Sequence, residues 1–213
     1  MKTLNYSLIL IFVFLANFCL NAQTLIIDDL SNLKKGIYKN YEEFKYNKPS
    51  LKLDYEILAK NKKYGPINNR EIVTFYRLDV TKEQSKSIGP IYGFCDGEHI
   101  YIKGYYRVQL KPKTNFSQLD FVGEYCLYEG VGSSSINTGN GNIAMSNRIY
   151  MVLNLNNRQV SVLSKRVLKK IISDDPELLM EFKKRKKKHK ILKEYFLKYF
   201  DRKEKNKLLP TQK

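Results

Sequence analysis

Gly89-Pro90-Ile91-Tyr92-Gly93-Phe94-Cys95-Asp96-Gly97-Glu98-His99-Ile100-Tyr101-Ile102 is the stretch whose reading settles the architecture. Asp96-Gly97 stands between two runs of alternating apolar residues, and this dipeptide accepts the positive φ that two-residue hairpin turns require. The expected register sets Phe94 opposite His99, Gly93 opposite Ile100 and Tyr92 opposite Tyr101. One side of the ribbon then carries Tyr92, Phe94, His99 and Tyr101.

Period-two patterning extends on both sides of this hairpin. Upstream, Leu51, Leu53, Tyr55 and Ile57 alternate with polar residues, and so do Ile72, Thr74, Tyr76 and Leu78 after the turn signals Gly65-Pro66 and Asn68-Asn69. These two segments are expected to pair as antiparallel neighbours. Downstream, strands are expected at Tyr105 to Leu110, Leu119 to Tyr128, Ile143 to Leu155 and Gln159 to Leu163, with Asn156-Asn157 as a tight turn. Eight short strands in succession form a meander, either a twisted sheet curled over a core or a partly open barrel. The Gly- and Ser-rich segment between Glu129 and Ile143 lacks the Gly-Lys-Ser/Thr ending of a phosphate-cradling loop and reads as a mobile hairpin loop.

Both ends of the chain read as helical. Asn40, with Glu43 three residues on, caps a short helix that Pro49 stops. Ser164 caps another built on Val167, Leu168, Ile171 and Ile172. Asp175 as N-cap and Pro176 at the first helical position then restart the pattern, with Leu178, Phe182, His189, Leu192, Phe196 and Tyr199 on one face. The fold class is therefore α+β: an antiparallel meander with a short N-terminal helix and one or two basic C-terminal helices. Its segments are residues 1–22, a β-rich domain over 23–164, a helical segment over 165–204, and a flexible tail over 205–213.

Residues 1–22 have the layout of a secretory signal peptide: Lys2 in a polar start, an apolar run from Leu8 to Ala16, and Leu20-Asn21-Ala22 before Gln23. Cleavage between Ala22 and Gln23 leaves 191 of the 213 residues, and the mature chain is expected to be periplasmic or secreted, with no transmembrane segment. A lipoprotein reading through Cys19 is disfavoured, because Phe18 is too bulky for the position before a lipidated cysteine. The absence of tryptophan beside 16 Tyr and 11 Phe suits half-buried strands better than a helical bundle.

Charge is uneven. From Lys165 to Lys213 the chain holds 18 Lys and Arg against 7 Asp and Glu, so this end carries +11 of the formal +17. Lys183, Lys184, Arg185, Lys186, Lys187, Lys188 and Lys190 form the one run that could advertise a partner by charge, as a polyanion-binding patch. In an exported protein that partner is anionic envelope material or another envelope protein rather than nucleic acid, since base-edge readers and stacking aromatics are missing from the run. The bland alternative is a solvated helix face.

No cofactor is indicated, and no catalytic or metal set stands out. His99 beside Asp96 and Glu98 is more simply explained by the turn, and two histidines and two mature cysteines scattered singly do not have zinc-site spacing. Cys95 and Cys126 could form a disulfide in an oxidising compartment or serve as two small buried apolar residues. The leading expectation is a non-enzymatic binding module, in which a curved, aromatic-rich sheet holds a partner and the basic helix adds attraction. A hydrolase acting on an envelope polymer, and a structural protein that self-associates through its sheet edge, are the alternatives.

Gly36-Ile37-Tyr38 with Glu42-Glu43-Phe44 and Pro49, then Tyr92-Gly93-Phe94-Cys95-Asp96-Gly97, then Asp174-Asp175-Pro176-Glu177-Leu178, together resemble an uncharacterised exported protein family of Bacteroidetes-type bacteria. Asn21-Ala22-Gln23 is similar to signal cleavage sites in those organisms. The resemblance implies an envelope or secreted location and carries over no catalytic residue.

Overall fold

The computed structural model describes Ile26 and residues 30–66, 68, 70–103, 113–137, 142–186 and 191–208. Residues 1–22, the expected strand over 105–110 and the end of the tail lie outside the described residues. Seven antiparallel strands form one open, curled sheet in the order β1 (Gly36–Tyr38), β4 (Gly93–Cys95), β5 (Ile100–Ile102), β6 (Ser117–Phe121), β7 (Tyr125–Asn137), β8 (Asn142–Asn154) and β9 (Val160–Val162). β2 (Ile57–Tyr64) and β3 (Glu71–Leu78) pair with each other as a separate hairpin. The helices are α1 (Tyr41–Lys45), α2 (Lys82–Ile88), α3 (Lys165–Ile171), α4 (Pro176–Lys184) and α5 (Leu192–Leu208). The fold is α+β with a curled sheet.

The central hairpin forms, but one residue further along than its sequence suggests. Phe94 pairs with Tyr101 and Gly93 with Ile102, and the Asp96 N–H donates to the His99 carbonyl at 3.2 Å. Gly97 and Glu98 therefore sit at the tip, with Gly97 taking the positive φ of 106°. The Asp96 carboxylate decides this, because it accepts the backbone N–H groups of Glu98 at 2.8 Å and His99 at 2.6 Å. Phe94 and Tyr101 share a face and stack at 4.9 Å, while Tyr92 turns to the opposite side to stack on Phe44 at 5.3 Å.

Other departures have local causes. Leu51 makes only an isolated bridge to Ile37, and the strand starts at Ile57, since β1 offers backbone partners for one residue of that segment only. Gly36–Tyr38 is a buried edge strand paired with β4, for which no strand was expected from sequence. Leu119 to Tyr128 is two strands, β6 and β7, separated at Val122-Gly123-Glu124. The Gly- and Ser-rich segment is strand for most of its length, in register with β8 from Tyr125↔Asn154 to Asn137↔Asn142. Its glycines suit that pairing: a Cβ on Gly132 would stand 3.0 Å from Ile149 Cδ1, so Ile149 packs over a bare backbone.

The sheet is covered on both faces. Its inner face and α1 build one cluster from Tyr38, Phe44, Cys95, Ile102, Cys126, Tyr128 and Leu153. The outer face divides in two. Ile37, Phe94 and Tyr101 pack with Leu78, Val80 and Ile88 at the N-terminal half, and Leu127 and Val152 pack under α3 to α5 at the other. Tyr38, Tyr128 and Phe44 are fully buried, so these aromatic rings of the inner cluster pack against the protein's own side chains. Among the described residues no helix is long and apolar enough to cross a membrane.

Candidate functional site

The cationic run lies at the corner between α4 and α5, not in the middle of a helix. Asp175 starts α4 by accepting the Leu178 N–H at 2.9 Å, with Pro176 in the first turn. Leu178 and Phe182 are buried, and then no apolar residue occurs until Ile191. A helix continued through that interval would gain no burial and would stack like charges at i, i+4. The chain instead turns extended at Arg185 (φ −70°, ψ 137°), and α5 runs back with Tyr195, Phe196, Tyr199 and Phe200 buried. Phe182 packs against Tyr195 at 5.2 Å between ring centres, directly behind the corner.

The acids of this layer are engaged by α5. Arg202 Nη1 lies 2.8 and 3.0 Å from the two Asp175 oxygens, and its other terminal nitrogen lies 3.4 Å from Glu177. The Tyr199 hydroxyl donates to Asp174 at 2.7 Å, and this bond, helped by Lys203 against the opposing effect of burial, holds the Asp174 carboxyl below its usual range. Glu181 accepts from Lys198 and from Tyr195, each at 2.7 Å, and these bonds likewise lower its pKa. At the corner, burial and Glu181 raise the Tyr195 pKa, and Arg185 works against them to lower it. Lys183, Lys184 and Lys186 are exposed and make no ion pair among the described residues. Lys187, Lys188, His189 and Lys190 lie outside the described residues.

A family model matches residues 36–207: the Family of unknown function (DUF6563). The chain belongs to this family. No curated protein and no solved structure matches it. The DUF6563 match opens at the first residue of β1 and closes in the last turn of α5, so it takes in the sheet, the hairpin and the helical layer with its corner.

The other positions singled out from sequence fall apart in space or serve the fold. In this DUF6563 chain Cys95 and Cys126 are free, buried thiols of the inner cluster. Strands β5 and β6 lie between the strands that carry them, about 14 Å along the sheet at the usual spacing, well beyond disulfide reach measured that way. Burial pushes the Cys126 thiol up to about 12 and raises Cys95 as well, so neither is a thiolate at neutral pH. His99 stands exposed at the hairpin tip, its Nδ1 3.5 Å from Asp96. Burial works to raise the Asp96 pKa, but the His99 and Glu98 N–H groups and the Tyr101 hydroxyl outweigh it and hold the carboxyl low. Asp96 is thus a turn-former. Among the described residues no group of three or more His, Cys, Asp and Glu side chains gathers as a metal site.

Sequence reading picked out the cations of the corner and missed what leaves them uncompensated. The pairing of Asp174, Asp175 and Glu177 with Tyr199, Arg202 and Lys203 joins residues 25 to 29 positions apart. Its one legible trace is an acidic helix start followed, after a break, by a second helix ending in base.

Proposed function

We propose that this protein is an exported cell-envelope binding module that docks on anionic envelope material through the α4–α5 corner. On this reading residues 1–22 are a cleaved signal peptide, Gln23 is the mature N-terminus, and the protein acts outside the cytoplasm of a Bacteroidetes-type cell. The carrying observation is the sorting of charge within one helical pair. Asp174, Asp175, Glu177 and Glu181 are occupied by α5 residues, while Lys183, Lys184 and Lys186 face solvent without ion-pair partners among the described residues. Uncompensated cations on a rigid apolar support attract phosphates and carboxylates at long range, an attraction that salt screens.

Vesicles of zwitterionic lipid with and without anionic phospholipid test this directly, by co-sedimentation of the mature chain. The expected result is binding to the anionic vesicles only, weakening steeply as salt rises, and falling at least tenfold in a Lys183→Gln, Lys184→Gln, Lys186→Gln variant that folds normally. Binding that ignores both salt and the triple substitution would refute the proposal.

A further inference from the structure

Among the described residues, α3 does not fully cover the outer face of the sheet. Where β8 turns into β9, α3 stands off and leaves a cleft of about 370 Å³ between helix and sheet, at the small end of the roughly 300–1,000 Å³ typical of ligand clefts. Its floor is apolar, made by Val152, Ile171 and Tyr125. One wall is Arg166 and Lys170, one helical turn apart on α3. The other is the β8–β9 turn.

That turn holds its side chains in fixed positions. The Asn154 side-chain oxygen accepts the Asn156 N–H at 2.8 Å, and the Asn157 oxygen accepts the Gln159 N–H at 2.9 Å, so both amide NH₂ groups remain as oriented donors. Arg158, between them, takes a left-handed φ of 60°, which a non-glycine residue adopts only where its surroundings compel it. Its guanidinium is anchored away from the cleft, 4.5 Å over the Tyr41 ring and paired with Glu42. The strained turn is therefore clamped from behind while its amides line the cleft.

The electrostatics of the lining are one-sided. Arg166 and Lys170 form no ion pair among the described residues, and no carboxylate lines the cleft. Glu124, the nearest candidate by contact, is 3.5 Å from Asn156 and 3.8 Å from Lys203, outside the lining. Two like charges one turn apart on a seven-residue helix destabilise it, and nothing in the cleft relieves them.

We propose that this cleft is a binding site for an acidic sugar. Arg166 and Lys170 take the carboxylate, the Asn154, Asn157 and Gln159 amides take ring hydroxyls, and the apolar floor with the Tyr125 ring takes the C–H face of the ring. The Gln159 amide, which makes no side-chain hydrogen bond among the described residues, both donates and accepts, which suits hydroxyls better than a bare anion. The site is separate from the α4–α5 corner and does not depend on it.

Titration of the ¹⁵N-labelled mature chain with glucuronate, glucose and inorganic phosphate at matched ionic strength tests the assignment, read on the side-chain NH₂ signals of Asn154, Asn157 and Gln159. Glucuronate is expected to give saturable shifts, with glucose and phosphate at least tenfold weaker. Arg166→Gln with Lys170→Gln should bring glucuronate down to the level of glucose, and the Lys183→Gln, Lys184→Gln, Lys186→Gln variant should leave it unchanged. Should the α3 variant fail to fold, Asn157→Ala, at an exposed turn position, is expected to weaken glucuronate and glucose alike, each several-fold, because both present ring hydroxyls to that amide. Equal response to glucuronate and glucose, phosphate as tight as glucuronate, no saturable response, or full binding in the folded substituted chains would each overturn the proposal.

Discussion

The two ends of the α4–α5 pair both carry cations, which end up in opposite states. At the end where α4 begins, Asp174, Asp175 and Glu177 meet Tyr199, Arg202 and Lys203 in a connected set of hydrogen bonds and ion pairs. At the end where α4 stops, Lys183, Lys184 and Lys186 meet only solvent among the described residues. Both ends rest on one apolar layer of Leu178, Phe182, Tyr195, Phe196 and Phe200 against Leu127 and Val152 of the sheet. The contrast teaches that charge in this segment is organised by helix direction: reversal of the chain brings the basic end of α5 onto the acidic start of α4, and leaves Lys183, Lys184 and Lys186 without an ion-pair partner among the described residues.

Phe182→Ala removes the common support and should affect both ends together. Truncation of a fully buried phenylalanine costs about 3–5 kcal/mol, and urea unfolding should record a loss of that size. In the same variant the buried Cys95 and Cys126 should label faster with a thiol reagent than in the native protein, as global opening becomes more frequent. Asp175→Ala should act at the acidic end alone. It removes the N-cap of α4, an effect of about 1–2 kcal/mol, and should leave anionic-vesicle binding unchanged.

Acid separates the ends next. Asp174 and Glu181 have carboxyls held below their ordinary values of about 3.9 and 4.3, so the stability they contribute is complete above those values and is lost as pH falls through the lower folded ones. The urea midpoint should therefore drop below about pH 4, and Tyr199→Phe, which removes the main bond to Asp174, should flatten that drop. The smallest effect on stability is expected from Lys183→Gln, Lys184→Gln and Lys186→Gln together, about 0.5 kcal/mol or less per site by urea unfolding. A large loss there would show that the corner cations are structural after all.

Elements governed by neighbours in sequence were legible. Asn40, Ser164 and Asp175 cap their helices as read, each accepting the backbone N–H three residues on, because a cap needs only a side-chain oxygen and a helix start. The strand over Ile72 to Leu78 and the tight turn after β8 were legible for the same reason, whereas the partner strand expected from Leu51 to Ile57 runs from Ile57 to Tyr64 instead. The hairpin tip was misplaced by one residue because Asp96 and Gly97 suit two adjacent turn positions equally, and only the Asp96 carboxylate bonds to Glu98 and His99 separate them. The strand character of the Gly- and Ser-rich segment was illegible since it comes from β8 lying alongside, not from propensity. At the candidate sites the cations of the corner could be listed, whereas the α3 cleft could not, its walls coming from a turn and a helix that meet only after folding.

By itself the amino-acid sequence determined the starts of α1, α3 and α4, the antiparallel alternation and the excess of base near the C-terminus, all of which depend on residues a few positions apart. Tertiary structure alone decided that the sheet would be covered on both faces, that β2 and β3 would leave it, and which charges would find partners. Those outcomes depend on burial and on Coulomb attraction between residues distant in the chain, whose separation no local pattern encodes.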